Sequence, residues 1–257
     1  EVVHFELWFG NASNSSVLLP GPNDTTLMYY SVWQQVDISS AVAKGGSQML
    51  VHGFGFLPNL KSNYTCKFKF SPQSAFSNPG LLMQDEQLSE VVLTPAAVLS
   101  AQLLSCYTPH WPYPAGYGNF SLLDGQSLVP LVGMQGLGES IPFLFVQGWD
   151  GRVQPTRASS GGGISLTLHG YGFDSTSSNY ECVFGNHSHS SYRTSAKAIN
   201  STTIICDVVV MGQYLSDSEA KLWIVHAGKP FSTANASLSF YSVWTTMSTS
   251  TASAAGG

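Results

Sequence analysis

Two residue classes in this chain have types and spacings that could do chemistry. Four cysteines stand at 66, 106, 182 and 206, and eight asparagines open Asn-x-Ser/Thr sequons: Asn11, Asn14, Asn23, Asn63, Asn119, Asn186, Asn200 and Asn235. The chain holds eleven Asn and 53 Ser or Thr in 257 positions, so chance places about a fifth of the Asn, roughly two, in sequons. Eight is a strong excess. It points to a glycosylating secretory route, with these asparagines on surface turns and strand ends. In that oxidising setting matched cysteines become disulfides.

Other chemistries find no scaffold. The sequence has no Gly-x-Ser-x-Gly elbow, no His-Glu-x-x-His and no Walker-type phosphate loop. His187 and His189 stand two apart without an identifiable third ligand, and no Cys-x-x-Cys spacing supports zinc. Asp85, Glu86 and Glu90 do not make an Asp-x-Asp-x-Asp calcium loop and read as a solvated insertion. We expect no enzyme, no cofactor and no metal. A net charge of −5 with ten scattered Lys and Arg removes the cation cluster that nucleic acid requires.

One stretch offers contact rather than catalysis. His110-Trp111-Pro112-Tyr113-Pro114-Ala115-Gly116-Tyr117 interleaves aromatics with Pro and Gly. Trp111, Tyr113 and Tyr117 therefore form a candidate contact loop for a sugar or a protein. The competing arrangement folds Trp111 and Tyr113 back to cap the sandwich end or to pack on the next domain.

The elements that hold these residues repeat. GGSQMLVHGFGF (45–56) recurs as GGGISLTLHGYGF (161–173), each followed by Tyr-x-Cys at Tyr64–Cys66 and Tyr180–Cys182. VLSAQLLSC (98–106) aligns without gaps to AINSTTIIC (198–206). Alternation in MLVHG and SLTLHG, closed by Gly, predicts half-buried strands. Four cysteines allow three connectivities; the repeat favours Cys66–Cys106 and Cys182–Cys206. Thr94-Pro95-Ala96-Ala97-Val98 is the one helix-like stretch, with at most a single capped turn expected.

Tyr30-Ser31-Val32-Trp33 recurs at Tyr241-Ser242-Val243-Trp244, with a looser copy ending in Trp149. We read these Trp residues as packing between consecutive domains. The parse is then 1–33 as closing strands of a preceding repeat, 34–149 and 150–244 as full domains, and 245–257 as a Ser/Thr/Ala-rich linker or stalk. No apolar run reaches the ~18–20 residues that span a bilayer. The chain opens at Glu1 with no initiator Met or signal peptide, and reads as a mature or excised piece.

These motifs resemble the IPT/TIG immunoglobulin-like domain. The first copy uses Gly45, Gly46, Gly53, Gly55, Phe56, Cys66 and Cys106; the second uses Gly161, Gly162, Gly170, Gly172, Phe173, Cys182 and Cys206. The second copy departs from the first after Cys206, where Asp207-Val208-Val209 lacks the Pro found at 109. The resemblance implies an all-β chain of tandem immunoglobulin-like (IPT/TIG, E-set type) β-sandwiches in an extracellular or cell-surface glycoprotein. It implies a non-catalytic role in adhesion, recognition or rigid spacing. The alternatives are a structural subunit of a surface filament or glycocalyx, or the accessory region of a secreted carbohydrate-active enzyme. Expected partners are other copies or domains of the same surface protein, or an extracellular protein or glycan ligand. The 109–117 loop and the insertion at 71–95 are the expected contact segments.

Overall fold

The computed structural model describes residues 2–4, 8–10, 16–18, 26–28, 30–57, 63–70, 91–133, 136–186, 189–208, 219–231 and 236–242. Four short strands come first: β1 (Val2–His4), β2 (Trp8–Gly10), β3 (Ser16–Leu18) and β4 (Thr26–Met28), paired β1 with β4 and β2 with β3. A first sandwich follows, built from β5 (Val32–Val36), β6 (Ser40–Val42), β7 (Gln48–Phe54), β8 (Tyr64–Phe70), β9 (Val91–Ser100), β10 (Leu103–Tyr107), β11 (Gly116–Asp124), β12 (Ser127–Leu128), β13 (Leu131–Gly133), β14 (Gly136–Gly138) and β15 (Ile141–Val146). The second contains β16 (Gly148–Gln154), β17 (Arg157–Ser159), β18 (Ser165–Tyr171), β19 (Tyr180–Asn186), β20 (His189–Asn200), β21 (Thr203–Asp207), β22 (Glu219–His226), β23 (Lys229–Pro230) and β24 (Ala236–Tyr241). Among the described residues there is no helix.

The alternation read from the sequence is carried by the strands. Met49, Val51 and Gly53 of β7 are buried, as are Leu166, Leu168 and Gly170 of β18. Each sandwich has its own core. The first gathers Trp33, Phe56, Phe68, Phe120, Phe143 and Phe145; the second gathers Trp149, Phe173, Tyr180, Phe184, Ile204 and Phe240.

Each sheet path folds on itself at one long strand. β9 pairs with β8 over Val91–Pro95 and with β10 over Ala96–Ser100, so it leaves one layer and enters the other. β20 does the same, pairing with β19 up to Ala196 and with β21 from there to Asn200. The disulfides span these folds. Cys66 on β8 is joined to Cys106 on β10, and Cys182 on β19 to Cys206 on β21, with Cα separations of 6.5 and 6.2 Å. Strands two apart in a flat sheet lie about 9.5 Å apart, so the bridges require the folded sheet.

The structure corrects two expectations here. The Thr94–Val98 segment is strand, not a helical turn. Its β-branched residues suit the pleat, and Val92, Ala96 and Val98 pack on the core. Pro95 is tolerated because it sits at the switch between layers, where the ladder changes sides and a missing N–H breaks little.

The inter-domain reading of Trp33 and Trp149 is also overturned. Both lie in opening strands, opposite Gly53 and Gly170 respectively, and both are buried in their own sandwich cores. The strands that open the two cores run Val32–Val36 and Gly148–Gln154. A Cβ on Gly53 would collide with the Val32 carbonyl oxygen, and one on Gly170 with the Gly148 carbonyl oxygen. Glycine is needed there because the neighbouring backbone passes in contact. Trp244, the 71–90 part of the insertion, the His187–His189 pair and the 245–257 tail lie outside the described residues or side chains.

Candidate interface sites

The aromatic loop after β10 splits into a buried part and an exposed part. Trp111 is 1 % exposed and stacks face to face on Phe145, with centroids 4.0 Å apart. Its Nε1 donates to the Pro114 carbonyl at 3.2 Å. Gly118 leaves room for the indole, since a Cβ there would lie 3.0 Å from it. Tyr113 stacks on Phe70 at 4.6 Å. Trp111 is therefore a core residue with no face to offer a ligand, and Tyr113 is committed to an intramolecular stack. Tyr117, at 52 % exposure, is the member of the trio left open.

What the folded-back loop builds is a joint with the second sandwich. The Ala115 amide donates to the Gly172 carbonyl at 2.8 Å. Gly172 has φ +72, and a Cβ on it would lie 3.0 Å from Ala43 Cβ and 3.2 Å from Ala115 Cβ. The Tyr171 ring meets His110 edge-on at 5.8 Å and has Lys44 Nζ 6.0 Å from its centroid. Behind it, Gln147 Nε2 donates to the Tyr180 hydroxyl at 2.7 Å, and that hydroxyl also accepts the Asp174 amide at 2.8 Å. Burial pushes the Tyr180 phenol above its ordinary range. Burial likewise holds His226, stacked on Tyr180 at 4.2 Å, below the usual imidazole value, with Asp174 offsetting part of the effect. Asp150 stays below the usual carboxylate range: burial would raise it, but hydrogen bonds and charge from Arg152 outweigh that.

The first sandwich presents the same turn at its other end without such cover. The register makes Phe54 the counterpart of Tyr171, Gly55 of Gly172, Ser31 of Gln147 and Tyr64 of Tyr180. The Ser31 hydroxyl bonds the Tyr64 hydroxyl at 2.7 Å, as Gln147 bonds Tyr180. Yet Phe54 is 49 % exposed and Tyr30 is 63 % exposed, whereas Gly172 is buried. A cavity of about 340 Å³ opens there, lined by Tyr30, Ser31, Gly55, Leu57, Asp124 and Leu128 among others.

Of the sequon asparagines, Asn63, Asn119 and Asn200 are described with their side chains, and all three are exposed. Asn186 ends β19, and Asn11, Asn14, Asn23 and Asn235 lie outside the described residues. Among the described residues no three His, Cys, Asp or Glu side chains are grouped to hold a metal. Sequence reasoning missed Ala43, Ala115, Gln147 and Gly172 as joint residues. Small side chains and a lone Gln carry no pattern, although the repeated Gly-x-Gly-Phe marked the turn itself.

The model of the IPT/TIG domain family matches residues 151–240. No curated protein matches the chain. Among solved structures, the Plexin A4 full extracellular region aligns in one crystal form (domains 1 to 8) at 13 % identity and TM-score 0.29, over 81 % of this chain and 26 % of that one. A second form (domains 1 to 10) aligns at 11 % identity and TM-score 0.30, over 83 % and 16 %. A pair of titin Ig tandem domains aligns at 7 % identity and TM-score 0.28, over 84 % and 99 %. The chain thus spans well under a third of the plexin chains, and at these TM-scores none of the three carries an argument. From the family match, the repeated Gly-x-Gly-Phe turn and the disulfide-linked sandwich around it, residues 151–240 carry an IPT/TIG domain.

Proposed function

We propose that this chain is a non-catalytic segment of an extracellular or cell-surface glycoprotein, whose sandwiches are locked end to end so that recognition faces are held at fixed spacing. The observation that carries the reading is the joint: the Ala115–Gly172 hydrogen bond lies between surfaces so close that a Cβ on Gly172 would sit 3.0 Å from Ala43 Cβ and 3.2 Å from Ala115 Cβ. Hydrogen bonding between main chains, plus an aromatic ring set between His110 and Lys44, opposes hinge motion in a way that a bare linker does not. The sequon excess and the two disulfides support an oxidising, glycosylating location.

The groove around Gly55 is the counterpart of this joint on the first sandwich. We assign its occupant as the loop end of a preceding sandwich of the same kind, with the exposed Tyr30 and Phe54 taking the place that Val146 and Tyr171 have at the lower joint.

Rigidity is tested by electron-spin distance measurement between nitroxides at Gln126 and Lys229, one on each sandwich. A single narrow distance distribution is expected. A broad distribution, of the kind a free linker produces, would overturn the locked-rod reading.

A further inference from the structure

Asn119 differs from the other described sequon asparagines in where its strand lies. Asn63 immediately precedes β8, and Asn200 ends β20, where its Oδ1 accepts from both the amide and the hydroxyl of Thr202. Both project from turns. Asn119 instead sits within β11, hydrogen-bonded to β8 on one side and β15 on the other, opposite Lys69 and Pro142. A side chain on a central strand stands perpendicular to the sheet and cannot swing clear of it. Whatever is attached to Asn119 is therefore rooted in the middle of the sheet face rather than at its rim.

That face has an aromatic ring in reach. Phe120 and Leu122 point into the core, so Tyr117 and Asn119, both exposed, share the outer face, while Ser121 further along the strand is buried. Tyr117 is two residues before Asn119, about 7 Å along the strand, and is 52 % exposed. Its cross-strand neighbour Leu144 is half-buried, and Pro142 beside Asn119 is exposed. The corresponding positions in the second sandwich, by the registers of Cys66 with Leu122 and Cys182 with Ile224, are Glu219 and Lys221. There the aromatic and the sequon are absent together. A phenol ring, two flanking apolar residues and a carbohydrate acceptor on one surface match the apolar face of an N-acetylhexosamine, whose axial C–H groups stack on aromatic rings.

We infer that Asn119 carries an N-linked glycan whose first sugar packs on Tyr117 and covers the outer face of the β8–β11–β15 sheet, making the glycan part of the folded structure and closing that face to protein partners. This rests on the secretory reading above. The only bond required is the ordinary glycosyl-asparagine linkage, made before folding by the transferase that recognises Asn119-Phe120-Ser121: the Asn119 side-chain nitrogen loses a proton and bonds the sugar's anomeric carbon as the sugar–phosphate bond of a lipid diphosphate donor breaks and the lipid diphosphate leaves.

The experiment is a double-mutant cycle on the full chain secreted from a eukaryotic cell, combining Tyr117→Ala with Asn119→Gln, with occupancy of each sequon read by glycopeptide mass spectrometry. Tyr117→Phe, which keeps the ring, serves as the conservative control. Occupied Asn119 is expected, with Tyr117→Ala lowering the folding equilibrium constant severalfold in the glycosylated chain and little in the Asn119→Gln background. Tyr117→Phe should retain the coupling. Under native conditions an amidase should release the Asn119 glycan severalfold more slowly than those on Asn63 and Asn200. Bare asparagines throughout would overturn the secretory reading and this inference together. Glycans at other sequons but not at Asn119, or an equal cost of Tyr117→Ala in both backgrounds, would overturn this inference alone.

Discussion

The carbonyl of Gly172 accepts the amide of Ala115 at 2.8 Å, joining a turn of the second sandwich to a loop of the first. Gly172 and its counterpart Gly55 have nearly the same backbone, φ +72 and +76, but different surroundings. A Cβ on Gly55 meets nothing nearer than 3.5 Å, while one on Gly172 meets Ala43 at 3.0 Å. Alanine in the left-handed region costs about 1–2 kcal/mol at either position. Gly55→Ala and Gly172→Ala should therefore destabilise their own sandwiches alike by chemical denaturation. Only Gly172→Ala should broaden the inter-sandwich distance distribution. Equal broadening by both would refute the joint.

The two disulfides close loops of 40 and 24 residues, and on the chain-entropy model each contributes about 3–4 kcal/mol. Because each sandwich has its own core, the chain should not unfold as one cooperative unit. Replacing Cys182 and Cys206 by Ala should shift one denaturant transition and leave the other near its place. Replacing Cys66 and Cys106 should do the converse. A single merged transition moved by either pair would show that the sandwiches fold as one.

Much of this architecture was legible because the repeat states it twice. Gly53 and Gly170, Phe56 and Phe173, and the cysteine pairs each stand at matched registers, so one copy supports the reading of the other. The errors came where a residue's partner is remote in sequence. Trp33 sits at the start of β5, and its Nε1 donates to the Val129 carbonyl, a contact across 96 residues that no local pattern announces. Pro95 suggested a helix start because its ladder role at the layer switch depends on both neighbouring strands. For Trp111 the sequence left a contact loop and a fold-back open, and a flat apolar partner, Phe145, with the space above Gly118, selects the fold-back. For Trp33 and Pro95 tertiary packing outweighed local propensity.

Trp111→Ala removes a ring that is stacked on one side and met edge-on by Tyr113 on the other, at 5.0 Å. Large aromatic truncations in a core cost about 3–5 kcal/mol. The same loop carries Ala115, so the variant should both lower the stability of the first sandwich and loosen the joint. Trp111→Phe should recover most of the joint geometry with part of the stability. A Trp111→Ala protein with unchanged stability would place the indole on the surface.

His226 gives the second sandwich a dependence on pH whose direction follows from its burial. Its Nε2 lies 3.0 Å from the Ser177 hydroxyl and its ring stacks on Tyr180, the residue that Gln147 holds from the linker side. Burial depresses the imidazole below its ordinary value of 6.5, so the folded protein keeps it neutral where the unfolded chain already binds a proton. In that window the unfolded state holds more protons, and stability rises with pH. The contribution is complete above the unfolded value and is lost as pH falls through 6.5 toward the folded value. Denaturant titrations of the second sandwich should therefore show falling stability between about pH 7.5 and pH 5. The slope should be reduced in His226→Gln, which keeps a polar side chain but cannot titrate. Asp150, held low by Arg152, is lost only near and below its ordinary 3.8, so it does not confuse the reading. An unchanged slope in His226→Gln would mean that the imidazole titrates alike in both states, and that its stack on Tyr180 places no constraint on its charge.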